Sequence, residues 1–226
     1  MRTKILLSFA IFFSIAFTSN AQIDKGRIFL GGSIYYSNSN SKYNPPPYNS
    51  DLNESFGTNI QFGKVVKLNT VEGIIVSYTH SNYHVSGFPD SNFNRGNQIS
   101  AGVFYRKYKR LLKDFYFFGE VDGVYFHSKY EQGNYPYGGY NSTSITNGGS
   151  VSFIPGLSYA VCRKMNIELL MSNLLSVSYS HSNTNYTQGT PQVSTNGKGN
   201  SFSIAGNLSS GVLSNFGIGF KFLLGK

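Results

Sequence analysis

Apolar and polar residues alternate with a period of two along most of this chain. Over residues 27–37 one set reads Ile28, Leu30, Gly32, Ile34, Tyr36, and the other Phe29, Gly31, Ser33, Tyr35, Ser37. Similar alternation fills residues 54–66, 73–80, 98–109, 115–128, 151–162, 167–181 and 202–222. Successive side chains of a strand point to opposite faces, so each run predicts a β-strand, eight in all. The connections at 67–70, 110–114 and 163–166 are short. Those at about 38–53, 82–97, 129–150 and 182–200 are long and rich in Asn, Ser, Gly, Tyr and Pro. Short turns at one end and long loops at the other predict an antiparallel up-and-down meander. No strand–helix alternation marks a nucleotide-binding fold.

The two faces differ in size and polarity. In residues 98–109, Ile99, Ala101, Val103 and Tyr105 oppose Gln98, Ser100, Gly102, Phe104 and Arg106. Bulky apolar residues dominate one face; Gly, Ser, Asn and a few charges dominate the other. A water-soluble sandwich would put its bulk inside. Apolar outside and small or polar inside suits lipid, where backbone groups must pair within the protein and the sheet must close. Tilted strands of roughly 9–11 residues cross the hydrocarbon layer. The predicted fold is therefore all-β, an eight-stranded antiparallel up-and-down transmembrane β-barrel over residues 22–226.

Composition fits. Charged residues are 13% and aromatics 16% of the 226 residues, against roughly 25% charged in soluble domains. Residues 1–21 read as a secretory signal peptide: Arg2 and Lys4, an apolar stretch over 5–17, then Ser19-Asn20-Ala21. Cys162 is the single cysteine, so no internal disulfide is available. The formal net charge is +9, and it lies mainly near predicted turns rather than in a stripe. A nucleic-acid partner is not expected.

Candidate chemistry falls into three groups. Arg106, Glu120, Asp122, Glu168 and Lys221 lie on the inward phase and are expected to form lumen ion pairs. Arg106 and Glu120 meet if their hairpin centres on Leu112. Eight strands leave an interior just wide enough for side chains, so a plugged lumen is favoured over an ion pathway. His-Ser pairs recur at His80, His127 and His181, 47 and 54 residues apart, each preceded two residues earlier by Tyr78, Tyr125 and Tyr179. These read as an aromatic girdle with a polar rim, repeated at the hairpin period. Hydrolase chemistry needs an orienting acid, and none sits in phase. A metal ring fails because alternate strands lie roughly 9–10 Å apart. No metal or cofactor is expected. The Tyr- and Asn-rich loops suit surface binding, weighed against simple solvation.

The final strand ends on Phe216, Ile218, Phe220 and Phe222. With this strand, the hairpin pattern and the leader, the chain resembles the eight-stranded outer-membrane β-barrels of the OmpX/OmpA transmembrane type, a porin-like family of Gram-negative bacteria. In that resemblance, Phe216 to Phe222 stand for the C-terminal signal read by the barrel-insertion machinery. The tail Leu223-Leu224-Gly225-Lys226 departs from the family's aromatic ending. The resemblance implies a location in the bacterial outer membrane with both termini periplasmic, amid outer-membrane lipid and lipopolysaccharide. The expected function is non-enzymatic: a structural or surface-interacting barrel whose loops meet an extracellular protein or glycan ligand. The alternatives are a narrow porin-like channel for small solutes and a lipid-modifying enzyme.

Overall fold

A computed structural model describes residues 23–42, 50–86, 91–135, 141–171, 174–188, 193–206 and 216–225. The expected leader lies outside the described residues. Ten strands follow in chain order: β1 (Ile28–Lys42), β2 (Ser50–Lys67), β3 (Thr70–Ser86), β4 (Ser91–Arg110), β5 (Phe115–Tyr135), β6 (Asn141–Cys162), β7 (Met165–Met171), β8 (Leu175–Gln188), β9 (Val193–Gly206) and β10 (Phe216–Leu224). Every pairing is antiparallel. Hydrogen bonding runs from β1 through β6 in order, then to β7, β10 and back to β1. The short-turn end is therefore ringed by strands. At the opposite end β6 passes to β8, and β8 to β9. There, among the described residues, β1 beyond Ile34 pairs only with β2, and β9 pairs only with β8.

Two expectations are corrected. Among the described residues there are ten strands where eight were expected, the runs over 167–181 and 202–222 each coming as two, while the closed ring is made of β1 to β7 and β10. Pro155 accounts for the first break. It has no N–H to offer a ladder; it faces Gly119 on β5 and has no partner on its other side. Between Phe153 and Gly156, β6 has two residues, while the facing chain has four between Leu170 and Leu175. The second run is described as β9 and β10, on either side of residues 207–215, which lie outside the described residues. The long loops are also largely strand. Asn38 pairs with Glu54, His84 with Phe93, Lys129 with Ile145 and Asn183 with Lys198. Polar residues there line both faces of ribbons that rise beyond the ring, and a ribbon wetted on both sides needs no apolar alternation.

The interior is apolar at the short-turn end. Phe29, Val65, Val71, Phe104, Tyr108, Tyr116, Phe118 and Leu223 form a buried cluster that includes Ile23. Large side chains face small ones: a Cβ on Gly156 would run into the Phe118 ring. Residues 23–27 fold across this end. The Asn69 N–H donates to the Ile23 carbonyl at 3.1 Å, and the Gly26 N–H to the Val65 carbonyl at 2.8 Å. Asn69 makes the β2–β3 turn with φ of 58°, a left-handed conformation that Asn tolerates.

The outer surface is the reverse of a soluble protein's. Ile34, Ile60, Val76, Val103, Val121, Val151 and Ile218 are all exposed. A continuous exposed apolar surface marks contact with a partner or a membrane.

Candidate functional site

Inside the ring, the sheet brings charges from four strands to one place. Arg106 (β4) and Glu120 (β5) are direct cross-strand partners. The Arg106 guanidinium is 1% exposed. Its Nε donates to Glu120 Oε2 at 2.5 Å, and its Nη1 to Glu168 Oε1 and Oε2 at 2.9 and 2.7 Å. Nη1 also donates to Tyr108 Oη at 3.0 Å, and Nη2 to Gln61 Oε1 at 3.2 Å. The Tyr108 hydroxyl donates onward to Glu168 Oε1 at 2.7 Å. Gln61 Nε2 donates to Glu120 Oε1 at 2.8 Å, while its carbonyl accepts from Lys221 Nζ at 2.6 Å. Lys221 Nζ stands 3.9 Å from Glu168 Oε2. A Cβ on Gly31 of β1 would strike the Lys221 side chain, so that glycine gives the lysine its room.

The Phe118 and Phe29 rings pack against this network, with the Arg106 Cζ 4.4 Å from the Phe118 ring centroid and 5.3 Å from that of Phe29. Planar guanidinium over aromatic faces is a favourable contact when water is excluded. Asp122, one inward step along β5, is also buried, and its Oδ1 has no hydrogen-bond partner among the described residues. Gln61 and Tyr108 are the members that charge patterning misses. Both sit on the inward phase, and Gln61 works because an amide offers donor and acceptor together.

The outer rim carries a second constellation. His80, His127 and His181 each face an asparagine across the strand pair: Asn97, Asn147 and Asn200. In each pair the imidazole Nδ1 lies 2.8 Å from the asparagine Oδ1. An amide oxygen only accepts, so each contact is a hydrogen bond in the tautomer that carries its proton on Nδ1. Tyr78 donates to Asn97 Oδ1 at 2.8 Å, and Tyr125 to Asn147 Oδ1 at 3.3 Å. Tyr179 stands directly across from Phe202. Ser81, Ser128 and Ser182 follow the histidines in sequence and therefore stand on the opposite face. On the rim above, Lys129 pairs with Glu131 at 2.6 Å. Hydrogen bonding and charge from Lys129 hold the Glu131 carboxyl below its ordinary range.

On β10, Ile218, Phe220 and Phe222 face outward; the Phe216 side chain lies outside the described residues. Among the described residues no group of three acidic, His or Cys side chains could hold a metal ion.

These features define an all-β antiparallel up-and-down sheet with ring-like pairing, charged within and apolar without. No family model matches the sequence, and no curated protein does. Two solved structures of outer-membrane β-barrel proteins are similar. The ferric yersiniabactin uptake receptor FyuA from Yersinia pestis shares 11% identity with a TM-score of 0.40, covering 80% of this chain and 32% of that one. Ail, the attachment invasion locus protein of Yersinia pestis, shares 11% identity with a TM-score of 0.30, covering 88% of this chain and 95% of that one. This chain thus spans about a third of the receptor's length.

Proposed function

We propose that this protein is a non-enzymatic β-barrel of the bacterial outer membrane, structural or surface-interacting through its long hairpins, with a lumen that does not conduct. One observation carries the reading: Arg106, Glu120, Glu168 and Lys221 are buried inside the ring while aliphatic and aromatic side chains cover its outside. That inversion is stable only where the surrounding solvent is hydrocarbon. The ion network and the apolar cluster below it occupy the width of a narrow interior, and residues 23–27 cross its lower end. Non-enzymatic character is supported at the rim, where each imidazole is held by an amide and the adjoining serine faces away. Both termini would lie on the periplasmic side, with the Tyr- and Asn-bearing ribbons offered to extracellular protein or glycan.

The test is planar-bilayer recording on the purified full chain, alongside flotation with vesicles. Integration into vesicles without steady conductance is the expected result. A sustained conductance that changes with Arg106→Ala or Glu120→Ala would establish the channel reading instead. A chain monodisperse in buffer without detergent would overturn the membrane reading altogether.

A further inference from the structure

The charges buried inside the ring do not balance. Arg106 and Lys221 stand against Glu120, Glu168 and Asp122, so two cations meet three carboxylates. Both cations are engaged with the glutamates and Gln61. The other two buried charges, Arg27 and Asp114, offset each other at the short-turn end. Asp122 is the acid left over. It is 6% exposed, it belongs to none of the ion pairs among the described residues, and its Oδ1 has no hydrogen-bond partner. A second orphan stands near it. Gln61 and Glu120 touch across the lumen at 2.8 Å although their strands, β2 and β5, are not neighbours. One inward step from that pair toward the long hairpins stand Asn59 on β2 and Asp122 on β5. Asn59 is anchored there: its Nδ2 donates to Ser33 Oγ at 2.7 Å, and its buried Oδ1 has no partner. The layer thus offers two acceptor oxygens, one of them charged, and Ser152 directly across from Asp122 adds a hydroxyl. From Asp122 to the long hairpins, the inward positions of the described residues carry no Lys, Arg or His.

We infer that a small monovalent metal cation, Na+ or K+, binds between Asp122 and Asn59 in the lumen. A carboxylate, an amide oxygen and a hydroxyl are the ligands that hard cations take. One positive charge offsets the one surplus negative charge, which is costly to bury unpaired. A divalent ion fits less well. It would overshoot that charge, and no group of three acidic, His or Cys side chains able to hold a metal ion stands among the described residues. Arg106 and Lys221 lie on the short-turn side of this layer, where Glu120 and Glu168 neutralise them. The approach is from the hairpin end, along inward positions that include Ser77, Thr79, Ser100 and Ser150. The cup is a dead end, because the ion network and the apolar cluster close it toward the short turns. The inference rests on that closed lumen, the reading given above.

The experiment uses the full chain folded in a sugar-headgroup detergent, with sodium, potassium or choline chloride at one ionic strength. Choline is too bulky for the layer and serves as the control. Urea unfolding is followed by circular dichroism, and the sodium-23 resonance by magnetic resonance. Sodium or potassium should raise the folded-to-unfolded ratio saturably, by about tenfold at ten times the dissociation constant. The folded chain should broaden the sodium line, and the chain unfolded in urea should not. Asp122→Asn should abolish both responses while removing the surplus charge. Asn59→Ala, which leaves every charge in place, should weaken them, and Glu131→Gln at the exposed rim should leave them unchanged. Equal unfolding in sodium, potassium and choline would overturn the inference and make a proton the neutralising partner of Asp122. Full cation responses in Asp122→Asn would overturn it too, by placing the ion elsewhere. Steady conductance in the bilayer recording would remove the closed lumen and this inference with it; a silent lumen without cation dependence loses this inference alone.

Discussion

Arg106 on β4 reaches across the ring to Glu168 on β7, its Nη1 2.9 and 2.7 Å from the two carboxylate oxygens. The same guanidinium holds Glu120 on the adjacent strand. One cation thus joins neighbouring and distant staves of the sheet, and the two acids depend on it.

Arg106→Ala should destabilise the fold by about 3–5 kcal/mol, because it leaves two buried carboxylates with Lys221 as the cation remaining beside them. Arg106→Met combined with Glu120→Gln and Glu168→Gln should recover part of that loss, since neither carboxylate is then left charged and only Lys221 loses its partner. Denaturant unfolding in micelles, followed by far-ultraviolet circular dichroism, measures both. If the single and triple variants prove equally unstable, packing rather than charge holds this layer together.

The Arg106–Glu120 contact is legible in the sequence because it joins neighbours in one hairpin, where phase and turn position fix the register. The Glu168 and Lys221 side chains are legible as inward-facing but not as members of the network around Arg106. Their meeting depends on ring closure through β7 and β10, a relation between strands far apart in the chain. The histidine clamps are half legible. The His-Ser repeats are visible, yet only cross-strand register pairs His80 with Asn97 and His181 with Asn200. Strand endings are the least legible part. The ribbons beyond the rim are polar on both faces and read as loop, and Pro155 leaves the alternation of its neighbours intact while it interrupts the ladder.

Outward positions should reject charge more strongly than inward ones reject small changes. Val76→Arg or Val121→Arg should cost about 2–4 kcal/mol if these residues meet the centre of the hydrocarbon layer. Ser77→Ala, on the opposite face, should fall well below that. Equilibrium folding into short-chain vesicles reads the difference. Equal effects of Val76→Arg and Ser77→Ala would mean that this face does not meet lipid.

Asn69 holds its φ of 58° at the tip of the β2–β3 turn, where its carbonyl accepts from the Tyr108 N–H at 2.8 Å. Asn69→Val should lower stability by about 1–2 kcal/mol, the usual penalty for a branched residue in the left-handed region. Asn69→Gly should be nearly neutral. The midpoints of the two unfolding curves decide it. A valine variant as stable as the glycine one would mean that the turn relaxes to another conformation.

The interruption opposite Pro155 has a consequence for how this chain tolerates changes in length. Relative to β6, the facing chain gains two residues between Leu170 and Leu175. Relative to the β7–β8 chain, the last one gains six between Gly206 and Phe216. Both increments are even, so Phe202 and Ile218 keep the same orientation on either side of the gap. An even number of residues added within a paired strand keeps every side chain on its own face. One residue added within β10 ahead of Ile218 would exchange the two faces, turning Lys221 outward and Phe220 to the charged centre.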